Sequence, residues 1–305
     1  MQRLSAPGNL LLLGEYAVTE AGGVGVALGV APRAVATVED APEPAVESVL
    51  GGRSVHWPEE PLELVDALLR ELEVRGEGVA NRRVTVDTRA FHAGSRKLGF
   101  GSSAAAAVLL ASALSPSRPP AERLFDIAVQ GHRRFQGGRG SGYDVAASTY
   151  GGIIRFTGGE RPEVEPVTLP WLPPLYAVRG ARAVATKGAI GSYTAWKRSE
   201  PREAREFLQR SNELVSRFLA AGSWEEGRAV LVEAQLLGTA VGRSIGVEST
   251  FELEGLSGPG APLVKAVGAG AEMGILFDPE GDVTVVEQHA TVLPVEITAE
   301  GLTWE

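Results

Sequence analysis

The chain has 305 residues, 44% hydrophobic and 22% charged, the balance of a globular protein with one large or two intimate domains. Twenty-nine Lys and Arg against 38 Asp and Glu give a formal net charge of −9, which argues against a general nucleic-acid binder yet leaves room for a locally positive pocket. There is no cysteine, so disulfides, thiolate nucleophiles and Cys-built metal centres are excluded.

The apolar run within residues 1–13 is interrupted early by Gly14-Glu15 and is followed by no small-residue cleavage site, so a mature cytoplasmic start is expected. No stretch reaches the roughly 18 unbroken apolar residues of a membrane span, and no membrane partner is expected. Strands are predicted over 10–13, 24–28 and 34–38, the last two separated by Gly and Pro. Residues 46–50 and 53–57 read as a hairpin around Gly51-Gly52. Pro61 and the spacing of Leu64, Leu68 and Leu72 predict a helix over 61–75, and Val–polar alternation predicts a strand over 83–88. Helices follow at 102–114, 119–135 and 143–149, then a strand at 152–156.

Five prolines at 162, 166, 170, 173 and 174 mark the expected seam, dividing the chain into lobes of residues 1–165 and 166–305. Beyond it, residues 175–178 and 181–186 read as a hairpin, 201–221 and 224–245 as helices, and 274–277, 283–287 and 292–297 as strands. Strands and helices come in runs rather than in strict alternation, which indicates an α+β fold.

Four segments carry possible chemistry. The first is Lys97-Leu98-Gly99-Phe100-Gly101-Ser102-Ser103-Ala104-Ala105, two glycines and two hydroxyls ahead of an Ala-rich helix. A glycine turn feeding a helix N-terminus presents backbone N–H groups and the positive end of the dipole, which suits a phosphate; a Ser oxygen there suits Mg²⁺. A plain glycine turn with a Ser cap is the competing reading. The second is Ala6-Pro7-Gly8-Asn9 through Gly14-Glu15-Tyr16-Ala17-Val18, with a carboxylate at the end of an apolar strand. The third, Gly137-Gly138-Arg139-Gly140-Ser141-Gly142-Tyr143-Asp144-Val145-Ala146, again opens a helix, with Asp144 in its first turn; an Asp complementing the helix dipole is the simpler explanation. The fourth is Gly268-Ala269-Gly270-Ala271-Glu272. The four histidines, His56, His92, His132 and His289, have no H-x-H or H-x-x-x-H spacing, so a His-built metal site is not expected. Only four lysines occur, Lys97, Lys187, Lys197 and Lys265, which makes each worth inspecting in an Arg-rich chain.

In this order the four segments resemble the GHMP kinase superfamily, whose pattern is P-G-K-x-x-L-x-G-E-[HY], then G-L-G-S-S-A-A, then G-A-G-G-G. The stretches Gly14 to Val18 and Gly140 to Ala147, with Lys97 ahead of the central loop, are most similar to the phosphomevalonate kinase branch. The resemblance implies a two-lobed α+β fold, the N-terminal lobe like ribosomal protein S5 domain 2 and the C-terminal lobe ferredoxin-like. It implies ATP and Mg²⁺ as cofactors, a small phosphorylated substrate, transfer of a phosphoryl group to (R)-5-phosphomevalonate, and a monomer or homodimer. The residues it assigns to catalysis are Asp144, Lys97 and Asn9. Gly99, Gly101, Ser102, Ser103 and Ala104 would bind the nucleotide, with Ser103 on the metal. Glu15, Tyr16, Arg139, Ser141, Gly142, Lys187, Ser192, Thr194, Gly268 and Gly270 would bind the acceptor, Lys187 to Thr194 forming a small-polar loop before a helix. Arg133 and Arg134 are further cation candidates, although a solvated helix face explains them more simply. Two positions depart from the pattern: Asn9 replaces the Lys after Pro-Gly, and Ala271-Glu272 replace glycines. Mevalonate kinase, another GHMP metabolite kinase, and a non-catalytic nucleotide- or metabolite-binding homologue are the alternatives.

Overall fold

The computed structural model describes residues 1–50, 53–94, 96–138, 140–179, 186–249, 262–268, 273–278, 280, 283–288 and 290–305. In chain order the elements are β1 (Gln2–Leu13), β2 (Val24–Asp40), β3 (Ala45–Leu50), β4 (Arg53–Trp57), α1 (Glu63–Val74), β5 (Arg82–Asp87), β6 (His92–Ala93), β7 (Arg96–Lys97), α2 (Ser102–Leu114), α3 (Ala121–Phe135), α4 (Tyr143–Tyr150), β8 (Ile153–Thr157), β9 (Glu163–Val167) and β10 (Leu175–Arg179). Then come α5 (Thr186–Ser199), α6 (Pro201–Ala220), α7 (Trp224–Ile245), β11 (Leu263–Val267), β12 (Met273–Phe277), α8 (Thr284–Glu287), β13 (Val292–Val295) and β14 (Thr303–Trp304). None of the described helices is long and apolar enough to cross a membrane.

The first lobe is built on one large sheet ordered β14-β1-β2-β5-β3-β4, with β8 pairing β2 and β9 pairing β8. Helix α2 lies against it, buried from Ala104 through Leu114 on every side. Alanine at 104–107 explains this placement, because side chains that small let sheet and neighbouring helices approach together. Helices α1, α3 and α4 pack around α2. The segment predicted as two strands, 24–28 and 34–38, is the single strand β2. Its register against β1 shifts between Pro7 and Gly8, and Ala31 and Pro32 occupy the irregularity, where a missing N–H costs nothing.

The second lobe is a four-stranded antiparallel sheet, β11-β12-β10-β13, with α5, α6 and α7 connecting β10 to β11. Its strand order and sense are those of a ferredoxin-like β-α-β-β-α-β unit. Four expectations change here. The predicted strand at 283–287 is the helix α8, because β12 and β13 flank β10 in parallel sense and need a crossover. The predicted 175–186 hairpin fails because β10 is paired on both sides, by β12 and β13; residues 181–185 lie outside the described residues and Thr186 begins α5. The proline-rich seam contains β9, an edge strand that tolerates Pro166. The boundary at 165/166 therefore falls inside a strand of the first sheet, and the chain end returns to that sheet as β14.

Arg33 secures that return. Its guanidinium donates to the carbonyls of Ser5, Glu300 and Gly301, and to the hydroxyls of Ser5 and Thr303. A planar five-donor fork is needed to reach this set, so Arg33→Lys is expected to lose most of what Arg33→Met loses, about 1.5–3 kcal/mol for hydrogen bonds to a charged group. Urea unfolding of both variants measures this, and a Lys variant as stable as wild type would contradict the fork argument.

Candidate functional site

A cavity of about 710 Å³ opens between the two lobes, a size that holds a small-molecule ligand. From the first lobe it is lined by β1 at Asn9, by the β6–β7 hairpin at Arg96 and Lys97, by Gly99 and Gly101, and by the start of α4 at Tyr143 and Asp144. From the second lobe it is lined by β10 at Arg179, by Gly268 after β11 and by Met273.

The glycine loop has the backbone that its sequence implies. Gly99 (φ 91°) and Gly101 (φ 70°) are left-handed, and Gly101 is the residue that caps α2. A Cβ on Gly101 would overlap the side-chain amide of Asn9. Asn9 is 4% exposed; its Nδ2 donates to the Gly101 carbonyl (3.2 Å) and to Ser148 Oγ (3.2 Å), while its backbone N–H donates to Phe100 O (2.9 Å). Asn9 thus holds the loop against β1. The amides of Ala104 and Ala105 turn back to Gly101 O, and Ala104 is fully buried, so neither faces a ligand. The amides of Ser102 and Ser103 are the first two of the helix and have no carbonyl four residues back within it.

Arg96, Lys97 and Arg179 are exposed on the cavity, and their side chains make no hydrogen bond or ion pair to the described residues. Asp144 is the carboxylate among its described lining residues. Asp144 Oδ1 accepts from the Val145 N–H (2.9 Å), and Oδ2 lies 3.5 Å from His132 Nδ1. Burial, then the charges of Asp144 and Glu15, push the Tyr143 phenol upward, so it stays a neutral hydroxyl at working pH.

Other expected positions lie elsewhere. Glu15 and Tyr16 line a separate hollow of about 20 Å³ rather than the large cavity. Glu15 is ion-paired with the buried Lys265 of β11, and Tyr16 stacks on Tyr193 (ring centroids 5.2 Å apart). Burial raises the Tyr16 phenol to about 12, with Glu15 adding to the effect. Residues 186–199 form α5, not a loop, because Ala189, Tyr193 and Trp196 recur at helical spacing and bury one face against Phe207 and Tyr16. Ser192 sits in that helix, and Thr194 Oγ1 donates back to Ile190 O (2.8 Å). Lys187 is in its first turn, with its side chain outside the described residues. Arg139, Gly270, Ala271 and Glu272 are outside them as well. Gly142 (φ 93°) caps α4, and the Ser141 carbonyl accepts from Arg133. Arg133 is taken up by the carbonyls of Gly140, Ser141, Gly159 and Glu160, and Arg134 by Glu71, so neither remains a free cation for a ligand.

Arg96, Arg179, His132 and Lys265 were not assigned roles from the sequence. Lys265 carried a signal as one of four lysines, and Arg96 adjoins Lys97; Arg179 and His132 had none. Ser103 Oγ lies 3.2 Å from His132 Nε2. Its hard oxygen at a helix N-terminus fits Mg²⁺, which takes few protein ligands and keeps phosphate and water oxygens.

Residues 62–152 match the family model for the GHMP kinases N terminal domain. The phosphomevalonate kinase of Streptomyces sp. (strain CL190) is 29% identical over 186 residues, which span 51% of this chain and about half (49%) of that protein. A Lin0012 protein from Listeria innocua has a similar structure, with a TM-score of 0.83, 21% identity and 99% of each chain covered. So does Streptococcus pneumoniae phosphomevalonate kinase in complex with phosphomevalonate and AMPPNP, with a TM-score of 0.79, 17% identity, and 98% of this chain and 100% of that one covered.

Proposed function

From a chain that carries the GHMP kinases N terminal domain and has the GHMP kinase fold, we propose a phosphotransferase that moves the terminal phosphoryl group of ATP to (R)-5-phosphomevalonate, forming the diphosphate. The observation that carries this reading is the cavity in which a left-handed glycine loop at the α2 N-terminus faces three cations, unpaired among the described residues, and a single described carboxylate. The Streptomyces relative supports the choice of acceptor.

Phosphoryl transfer depends on alignment and on neutralising charge. The N-terminus of α2 receives nucleotide phosphate through the amides of Ser102 and Ser103. Ser103 is the residue that would hold Mg²⁺, which supplies charge neutralisation when bound. Lys97 and Arg96 reach the cavity from the first lobe and Arg179 from the second, so two anions are gathered from both sides. Asn9 keeps the loop in shape, and the positive charge of the family's Lys at that position comes instead from this trio. A phosphate monoester is largely a dianion at pH 7, since its second pKa is near 6. Such an acceptor needs no general base, and Asp144 orients it.

The test is ADP release with mevalonate, with phosphomevalonate and with no acceptor, for wild type and Asp144→Asn. With phosphomevalonate, turnover is expected to fall about 10–100-fold in the variant, as positioning losses do, with no steep new pH dependence above 7. An alcohol acceptor would instead lose a general base, about 10²–10⁴-fold. Robust wild-type activity on mevalonate that vanishes in the variant would move the assignment to mevalonate kinase.

A further inference from the structure

His132 occupies the last turn of α3 and is 1% exposed. Its two ring nitrogens face two residues from different helices: Nε2 lies 3.2 Å from Ser103 Oγ on α2, and Nδ1 lies 3.5 Å from Asp144 Oδ2 on α4. Phe135 packs on the ring (centroids 5.9 Å apart), and the charge of Arg133 acts on Asp144. A buried imidazole set between these two residues is more than filler, because each of its ring nitrogens faces an oxygen of the site.

We propose that His132 is a positioning residue that aims the Ser103 oxygen toward the nucleotide-metal complex while holding the Asp144 carboxylate toward the acceptor. An ionised carboxylate only accepts, so the ring nitrogen that faces Asp144, Nδ1, carries a proton. Nε2 is then the acceptor and draws the Ser103 hydroxyl proton toward itself. The lone pairs of Ser103 Oγ are left pointing away from the ring, available to a hard cation. With Nε2 protonated instead, the ring would take up one of the two hydroxyl lone pairs and leave only the other for a cation. On the other side, Oδ1 accepts from the Val145 amide and Oδ2 lies 3.5 Å from Nδ1, so the ring borders the carboxylate oxygen that the amide leaves free. One side chain thereby couples the donor half of the site to the acceptor half.

The inference rests on the kinase reading for the identity of the ligands, but its central claim, the tautomer, is read without any substrate. Long-range ¹⁵N NMR of the wild-type protein is expected to find the His132 proton on Nδ1; a proton on Nε2 overturns the proposal whatever the activity. Two variants then separate the arms, since the Asn amide nitrogen can donate from the Nδ1 position and the Gln amide oxygen can accept at the Nε2 position. His132→Asn is expected to raise the Mg²⁺ concentration needed for AMPPNP binding in calorimetry about 10–100-fold, the usual effect of removing a partner behind a metal ligand. His132→Gln is expected to keep that requirement within about twofold and to lower kcat instead, about 10-fold. A His132→Phe variant that melts like wild type and keeps both Mg²⁺-AMPPNP affinity and kcat also overturns the proposal. A wild type with the Nδ1 tautomer and Mg²⁺-AMPPNP affinity that transfers phosphoryl to no acceptor would sink the kinase reading and leave the positioning role standing. A wild type that does not bind Mg²⁺-AMPPNP at all would sink both.

Discussion

Gly101→Val is expected to abolish nucleotide binding. Gly101 sits at φ 70°, a conformation that a β-branched residue adopts only as a genuine outlier. The added side chain would also collide with the Asn9 amide, which is buried and tied to the Gly101 carbonyl, to Ser148 and, through its backbone, to Phe100. Asn9 has no space to retreat into, so the loop must move, and the first two amides of α2 move with it. The measurement is calorimetric titration with Mg²⁺-AMPPNP, beside Gly22→Ala as a control for strain alone. Gly22 has φ 76° with nothing within 4 Å of an added Cβ, and it lies outside the cavity lining. The control is expected to bind as wild type does; normal affinity in Gly101→Val would remove the loop from the nucleotide site.

Glu15→Gln is expected to be the most destabilising single change discussed, by about 3–5 kcal/mol, because it strips the counter-charge from a buried ammonium. Lys265 is 2% exposed, and its remaining partner among the described residues is the carbonyl of Ala266 at 3.0 Å. Glu15 follows β1 in the first lobe and Lys265 lies in β11 of the second, so the pair ties the lobes together. The double variant Glu15→Gln with Lys265→Met removes the stranded charge and is expected to recover much of the loss, as apolar replacement of a buried ion pair often does. Denaturant unfolding of the single and double variants reads both effects. A Glu15→Gln protein as stable as wild type that binds acceptor poorly would return Glu15 to the substrate-contact role suggested by its motif.

The glycine loops were legible in the sequence because their conformation is a local demand. A left-handed turn ahead of a helix selects glycine within a few residues, as at Gly99, Gly101 and Gly142. Helix α2 was legible from its alanines, and α1 from Leu64, Leu68 and Leu72. Helix α5 was not, although Ala189, Tyr193 and Trp196 mark its buried face. The family resemblance implied a small-polar loop at Lys187 to Thr194, and the helical form of the stretch depends on packing against Phe207 and Tyr16.

The residue pairs that shape the site were beyond any local reading. Glu15 and Lys265 are 250 residues apart, and Ser103 and His132 are 29 apart on different helices. Metal-site histidines announce themselves by spacing, whereas a histidine between a serine and a carboxylate, as His132 is, has no spacing to keep. Arg179 is one arginine among many until β10, sandwiched between β12 and β13, ends at the cavity. By itself, then, the sequence determined the α+β class, the helix-opening glycine loops and the order of the motifs, because backbone conformation and hydrophobic period are set by near neighbours. Only the tertiary structure decided which charges meet. It buried Lys265 against Glu15, occupied Arg133 and Arg134 with carbonyls and a carboxylate, and left Arg96, Lys97 and Arg179 open to the cavity. Whether a charge is neutralised or free depends on the partners that folding brings within a few ångströms, and a linear pattern does not contain that distance.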